Sequence, residues 1–193
     1  MRAPLSGQRF PWGLGLWLTL LLLLPGPGFA KPAFQIEDVK IRAVGEELVM
    51  DVRFVPDLSP VALEALDNGV PLTLEAHIQV RDTDAWVWDS SLVDRRLRYE
   101  IRYQPLAERY QVTPVPGGAG HNYVTRDAAI AALGDLHDLP LLNRGELAAG
   151  KDYRVDLKIA LDIEELPLPL RPTAYLLPSW KLSSGWTTWP LRP

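Results

Sequence analysis

The segment DRRLRYEIR places Arg95, Arg96, Arg98 and Arg102 within eight residues of an otherwise acidic chain. On an extended strand Arg96, Arg98 and Arg102 share one face, a stripe that could meet an acidic partner or anionic headgroups. Glu100 interrupts that face, and acids on neighbouring strands would convert the stripe into a solvated, ion-paired surface. Tryptophan offers a second chemistry. Trp86, Trp88, Trp180, Trp186 and Trp189 follow the first thirty residues, and exposed indoles bind sugars and peptides or anchor interfaces. Trp180, Leu182, Ser184 and Trp186 alternate at period two, which assigns Trp180 and Trp186 to a core. Trp189, beside Pro190 near the terminus, is the indole left for the surface. The candidate partner-binding surface is therefore Arg95, Arg96, Arg98, Arg102 and Trp189.

Catalytic and metal chemistry find little support. His77, His121 and His137 are the only histidines and none forms a close ligand pair with another. The acids of GDLHD (Asp135, Asp138) and of RDTDAWVWD (Asp82, Asp84, Asp89) cluster, yet the spaced glycine and bidentate glutamate of a strong calcium loop are missing. They read as surface acids at strand ends. No G-x-S-x-G elbow is present. Glu164 and Glu165 are adjacent, so on a strand they would face opposite ways and could not act as a pair. The sequence assigns no catalytic residue, no metal ligand and no cofactor site, and predicts a protein that is not an enzyme.

The elements that would hold these side chains begin after a leader. Arg2 and Arg9 precede a thirteen-residue apolar run, Trp12–Leu24, and Pro25-Gly-Pro-Gly follows it. As a helix that run spans about 20 Å, short of a hydrocarbon core of about 30 Å. Gly28 and Ala30 supply the small residues of a cleavage site before Lys31. Residues 1–30 read as a secretory signal peptide, and residues 31–193 as one domain with no transmembrane segment. Twenty basic residues less Arg2 and Arg9 leave 18 against 24 acidic, a formal net charge of −6. That balance disfavours general nucleic-acid binding. An exported chain without cysteine must hold itself together by burial alone. A bacterial periplasm is the simplest setting.

Period-two alternation runs through the domain. Phe34, Ile36 and Ile41 mark a first strand, and Leu48, Met50, Val52 and Phe54 a second. Leu72, Leu74, Ala76, Ile78 and Val80 share one face of a third, and Trp86 and Trp88 open a fourth. Leu97, Tyr99, Ile101 and Tyr103 make a fifth, Tyr110 and Val112 a sixth, and Tyr153 to Leu161 a seventh. The Trp180–Trp186 stretch is the eighth. Two short helices interrupt them. Ser59 caps the first with Pro60 at its first position and Gly69 at its end; Thr125 caps the second, with Asp127 in its first turn. ELPLPLRPT, residues 165–173, reads as extended. Alternation of this kind belongs to half-buried antiparallel strands, so the predicted fold is mainly β: an antiparallel β-sandwich of seven to eight strands, immunoglobulin-like in architecture, with two short helices.

The order LSPVALEALDNGVPLTLEAHIQV, AWVWD, LRYEIRYQPLAERYQV, RVDLKIALDIEELPLPLRP, SWKLSSGWTTW resembles a proteobacterial family of exported proteins known as a domain of unknown function, across nearly all of residues 33–190. That family carries no assigned catalytic residues. Its genes often lie beside those of a nitrogen-regulation two-component system with a membrane sensor kinase. The resemblance therefore implies a periplasmic accessory to envelope sensing, whose partner would be such a kinase or another envelope protein. The alternative is a ligand-binding module with an aromatic cleft for glycan or peptide. A contiguous basic or apolar patch would favour the first, and a concave pocket walled by Trp or Tyr the second.

Overall fold

Alternation in the sequence becomes alternation in burial. The computed structural model describes residues 33–84 and 91–191. Strand β3 (Leu72–Asp82) buries Leu72, Leu74, Ala76, Ile78 and Val80. It lies antiparallel beside β8 (Tyr153–Leu161), in which buried and half-buried residues alternate from end to end. β4 (Val93–Gln104), β5 (Arg109–Val115), β6 (His121–Tyr123) and β9 (Thr187–Leu191) complete a six-stranded antiparallel sheet, ordered β6-β5-β4-β3-β8-β9. A second antiparallel sheet is smaller. β1 (Phe34–Val44), β2 (Glu47–Pro56) and β7 (Asp135–Asn143) give it the order β1-β2-β7.

The sheets form a sandwich around one apolar cluster. It joins Phe34, Met50 and Phe54 of the smaller sheet to Ile78, Ile101 and Leu157 of the larger. Helix α1 (Pro60–Asp67) adds Ala62 and Leu66, and α2 (Arg126–Leu133) adds Ala129 and Leu133. Both helices are only eight residues long and need this packing to persist. Their starts follow the sequence: Ser59 Oγ accepts from the Ala62 amide at 3.3 Å, and Thr125 Oγ1 from the Ala128 amide at 3.2 Å. Gly69, at φ 82°, takes the left-handed exit from α1 that a side chain would resist.

Three features depart from the sequence reading. The described residues hold nine strands rather than seven or eight. The expected strand at Trp86 and Trp88 lies outside the described residues, as do the leader, its cleavage site and Asp89. The added strands are β6 and β7. β7 carries Pro140, and Asp138 sits at φ 55° where the pairing with β2 slips between Met50 and Val52. Proline and a bulge are tolerated there because β7 is an edge strand. Residues 165–173 are not extended throughout, since Arg171–Leu176 form a third helix, α3, anchored by buried Ala174. The last correction concerns the terminal strand. Pro178–Trp180 make a 3-10 turn, Ser183 bridges Ala160, and regular pairing resumes only at Thr187.

Candidate functional site

That last correction places an indole on the surface. Trp180, Leu182 and Ser184 keep their parity and are buried. Ser184 Oγ accepts from the Ile159 amide at 3.0 Å and donates to the Gly185 carbonyl at 2.7 Å. Gly185 then adopts φ 69°, which breaks the period-two rhythm. Trp186 was expected in the core beside Trp180; it is instead 49% exposed. Its indole packs against the imidazole of His77, ring centroids 4.9 Å apart. His77 belongs to the outward parity of β3, so Trp186 stands on the outer face of the six-stranded sheet.

A groove of about 400 Å³ opens beside it, lined by Trp186, Gln79, Arg81, Arg154, Asp156 and Thr188. Its polar side chains are held by one another. Asp94 on β4 accepts from Gln79 Nε2 at 2.8 Å and lies 2.7 Å from His77 Nε2. Arg81 donates to Gln79 Oε1 at 2.9 Å, and Thr188 Oγ1 donates to Asp156 at 2.7 Å. Arg154 lies 3.5 Å from the Asp156 carboxylate, and Arg81 lies 3.9 Å from the same group. Burial opposes the charge of Asp94, but the bonds from His77 and Gln79 outweigh it and hold its carboxyl below the usual range. Among the described residues, Arg81 Nε is buried without a hydrogen-bond partner. A rigid aromatic face thus borders fixed donors and acceptors, with two guanidiniums on one carboxylate.

The arginine stripe has a different character. Arg96, Arg98 and Arg102 do share the outer face, but all three are engaged. Arg98 binds Glu75 at 3.1 Å, Asp162 at 3.2 Å and Glu165 at 3.4 Å. Burial lowers the pKa of Arg98, and these acids, Asp162 and Glu75 foremost, raise it by more. Arg96 lies 3.7 Å from Glu75, and Arg102 3.2 Å from Glu100. Arg95 has the opposite parity, opposite Ile78, though it is exposed. Trp189 pairs with Val155 on the inward parity of β9 and is half-buried, sharing a shallow pocket with Val39, Ile41 and Pro190. The five surface candidates therefore do not converge on one patch.

Three acids of the two clusters are held in ion pairs. Asp138 meets Arg42, Asp135 lies 3.9 Å from Arg53, and Asp82 sits 2.5 Å from Lys151. Glu164 and Glu165 fall in a turn, where Tyr175 reaches the first and Arg98 the second. Among the described residues no three His, Asp or Glu side chains gather as a metal site.

The groove residues escaped the sequence reading because they come from β3, β8, β9 and the irregular stretch before it. Only the outward parity of Gln79 and Arg81 was visible in advance. Among the described residues, no helix is long and apolar enough to cross a membrane. Residues 31–190 match the family model described as "Domain of unknown function (DUF4390)". No curated protein and no solved structure matches the chain.

Proposed function

The chain belongs to the DUF4390 family, and we propose that it is an exported, non-enzymatic binding module that holds a glycan unit on the outer face of its six-stranded sheet. The observation that carries this reading is Trp186, half exposed and braced by His77 at the edge of a groove of hydrogen-bonded polar side chains. A sugar ring presents an apolar C–H face and a rim of hydroxyls. An indole covers the face; Gln79, Arg81, Arg154, Asp156 and Thr188 supply donors and acceptors for the rim. The test is tryptophan fluorescence on titration with chitotetraose and cellotetraose, comparing wild type with Trp186→Ala.

The periplasmic setting rests on the leader, and the family match opening at residue 31 fits a mature start at Lys31. N-terminal sequencing of the periplasmic protein should begin there, and recovery of Met1 in the membrane fraction would refute export by cleavage. A proteobacterial source and a gene neighbourhood shared with a sensor kinase belong to the same proposal. They would make the module an accessory to envelope sensing.

A second reading, docking to that kinase or another envelope protein, is favoured by one surface. Leu168, Tyr175, Leu176 and Leu177 are exposed by 74%, 51%, 79% and 44% within ten residues around α3. A photocrosslinker at position 176 would capture such a partner in envelope extracts. No product from position 176 would remove this reading.

A further inference from the structure

The larger sheet has six strands against three in the smaller, and at its β6 end helix α2 packs on β4, β5 and β6. Tyr99 faces Pro114 across β4 and β5, and Val112 faces His121 across β5 and β6. These residues form a floor. Ala132 and Leu133 of α2, with Asp135, Leu136 and His137 of β7, form a roof over it. Between floor and roof lies a cavity of about 340 Å³, separate in its lining from the groove at Trp186. Val112 from the floor and Leu133 and Leu136 from the roof make its lining apolar, and Tyr99 and Tyr123 add aromatic rings. A volume of this size with few polar groups is the ordinary form of a small-molecule site.

The polar groups sort by whether they are already engaged. Asp135 meets His137 at 3.3 Å and Arg53 at 3.9 Å, and His137 also faces Asp51 at 3.8 Å. The acid on the rim is thus balanced by the protein itself. Within the described residues, no hydrogen bond engages the Tyr99 hydroxyl, the Tyr123 hydroxyl or the His121 ring. All three can donate. Burial pushes the Tyr99 phenol up, so it keeps its proton at neutral pH.

We propose that this cavity is a second binding site, for a small, flat and largely apolar molecule bearing one carboxylate or comparable acceptor. The body fills the space between Val112 on one side and Leu133 and Leu136 on the other, and the acceptor takes the hydroxyl donor of Tyr99. Nothing in this assignment depends on the glycan groove.

The probe is 2-naphthoate, added to the purified protein and followed by calorimetry and amide NMR. One saturable site is expected, with shifts concentrated at Tyr99, Val112, Tyr123 and residues 133–137. Tyr99→Phe keeps the ring and removes the donor, so binding should weaken roughly two- to tenfold, the loss of one hydrogen bond. Ala132→Trp fills the cavity and should abolish binding. If Ala132→Trp does not fold, the Tyr99→Phe titration decides alone. Trp186→Ala should leave 2-naphthoate binding unchanged while losing the oligosaccharide, which separates failure here from failure of the glycan reading. Absence of a saturable shift at these residues, or equal affinity in Tyr99→Phe and wild type, would overturn the assignment.

Discussion

Trp186 stands against His77 with their rings 4.9 Å apart and inclined at 59°, across the outer face of a sheet whose inner face is the core. The contact fixes an indole that is otherwise half in water. His77 is in turn held by Asp94 at 2.7 Å. An exposed tryptophan costs little to remove when its role is recognition, and much when its role is packing.

Trp180 and Trp186 should therefore respond in opposite ways to truncation. Trp180 is 2% exposed, and Trp180→Ala should cost ~3–5 kcal/mol, a large share of the ~5–15 kcal/mol that holds a domain together. Trp186→Ala should leave thermal unfolding within about 0.5–1.5 kcal/mol of wild type, the worth of one aromatic pair. Differential scanning calorimetry on both proteins distinguishes them. Equal destabilisation would return Trp186 to the core in energetic terms.

Replacing Arg96, Arg98 and Arg102 together with Ser should leave the fold intact. Their side chains are 59%, 36% and 48% exposed and already pair with acids of the protein, so each contributes ~0–1 kcal/mol after screening. Most of any loss should trace to Arg98, which alone serves three carboxylates. A urea melt of the triple variant and of Arg98→Ser measures this. Unfolding of the triple variant in water would show that the stripe is structural.

Gly134 ends α2 against the backbone of β2. Its carbonyl accepts from the Phe54 amide at 2.8 Å, and an added Cβ would run into the Phe54 carbonyl oxygen, with Pro56 Cδ 3.1 Å away. Neither is the tip of a flexible side chain. Gly134→Ala should destabilise by about 1–3 kcal/mol, as overpacking does. An unchanged midpoint in urea would mean that α2 shifts freely, which its buried Leu133 argues against.

Stability should fall in acid with Asp51 as a principal contributor. Arg42 binds its carboxylate at 3.0 Å, and the Asp138 amide donates to it at 2.9 Å; both hold its pKa below the ordinary value. A carboxylate with a depressed folded pKa stabilises the fold above its unfolded pKa of about 3.9, and that stability is lost as pH falls through the folded value. Asp51→Asn should be less stable than wild type at pH 7, and its melting temperature should fall less between pH 5 and pH 2. Parallel pH profiles would contradict this.

Much of the fold was legible because three strands carry unbroken rhythms. β2, β3 and β8 bury the residues that alternation assigns inward, and Ser59 and Thr125 start helices as capping chemistry requires. β7 was hidden because Pro140 and the bulge at Asp138 erase its alternation, although Leu139, Leu141 and Leu142 are all buried. α3 was hidden because its six residues lie in a proline-rich run and no side chain caps it. The arginine face was legible, but its partners Asp162 and Glu165 come from a turn far along the chain. The groove at Trp186 depended on one backbone angle at Gly185, which parity alone cannot anticipate.

The most direct test of the glycan reading is the fluorescence titration of Trp186 itself. Trp180→Phe keeps a core aromatic while removing a competing signal, and chitotetraose is then added to this protein and to the same protein carrying Trp186→Ala. The account predicts a saturable change in emission that vanishes with Trp186→Ala and weakens with Arg81→Ala, while both variants melt close to their parent. A saturable response that survives Trp186→Ala, or no response to any oligosaccharide in a folded protein, would contradict it.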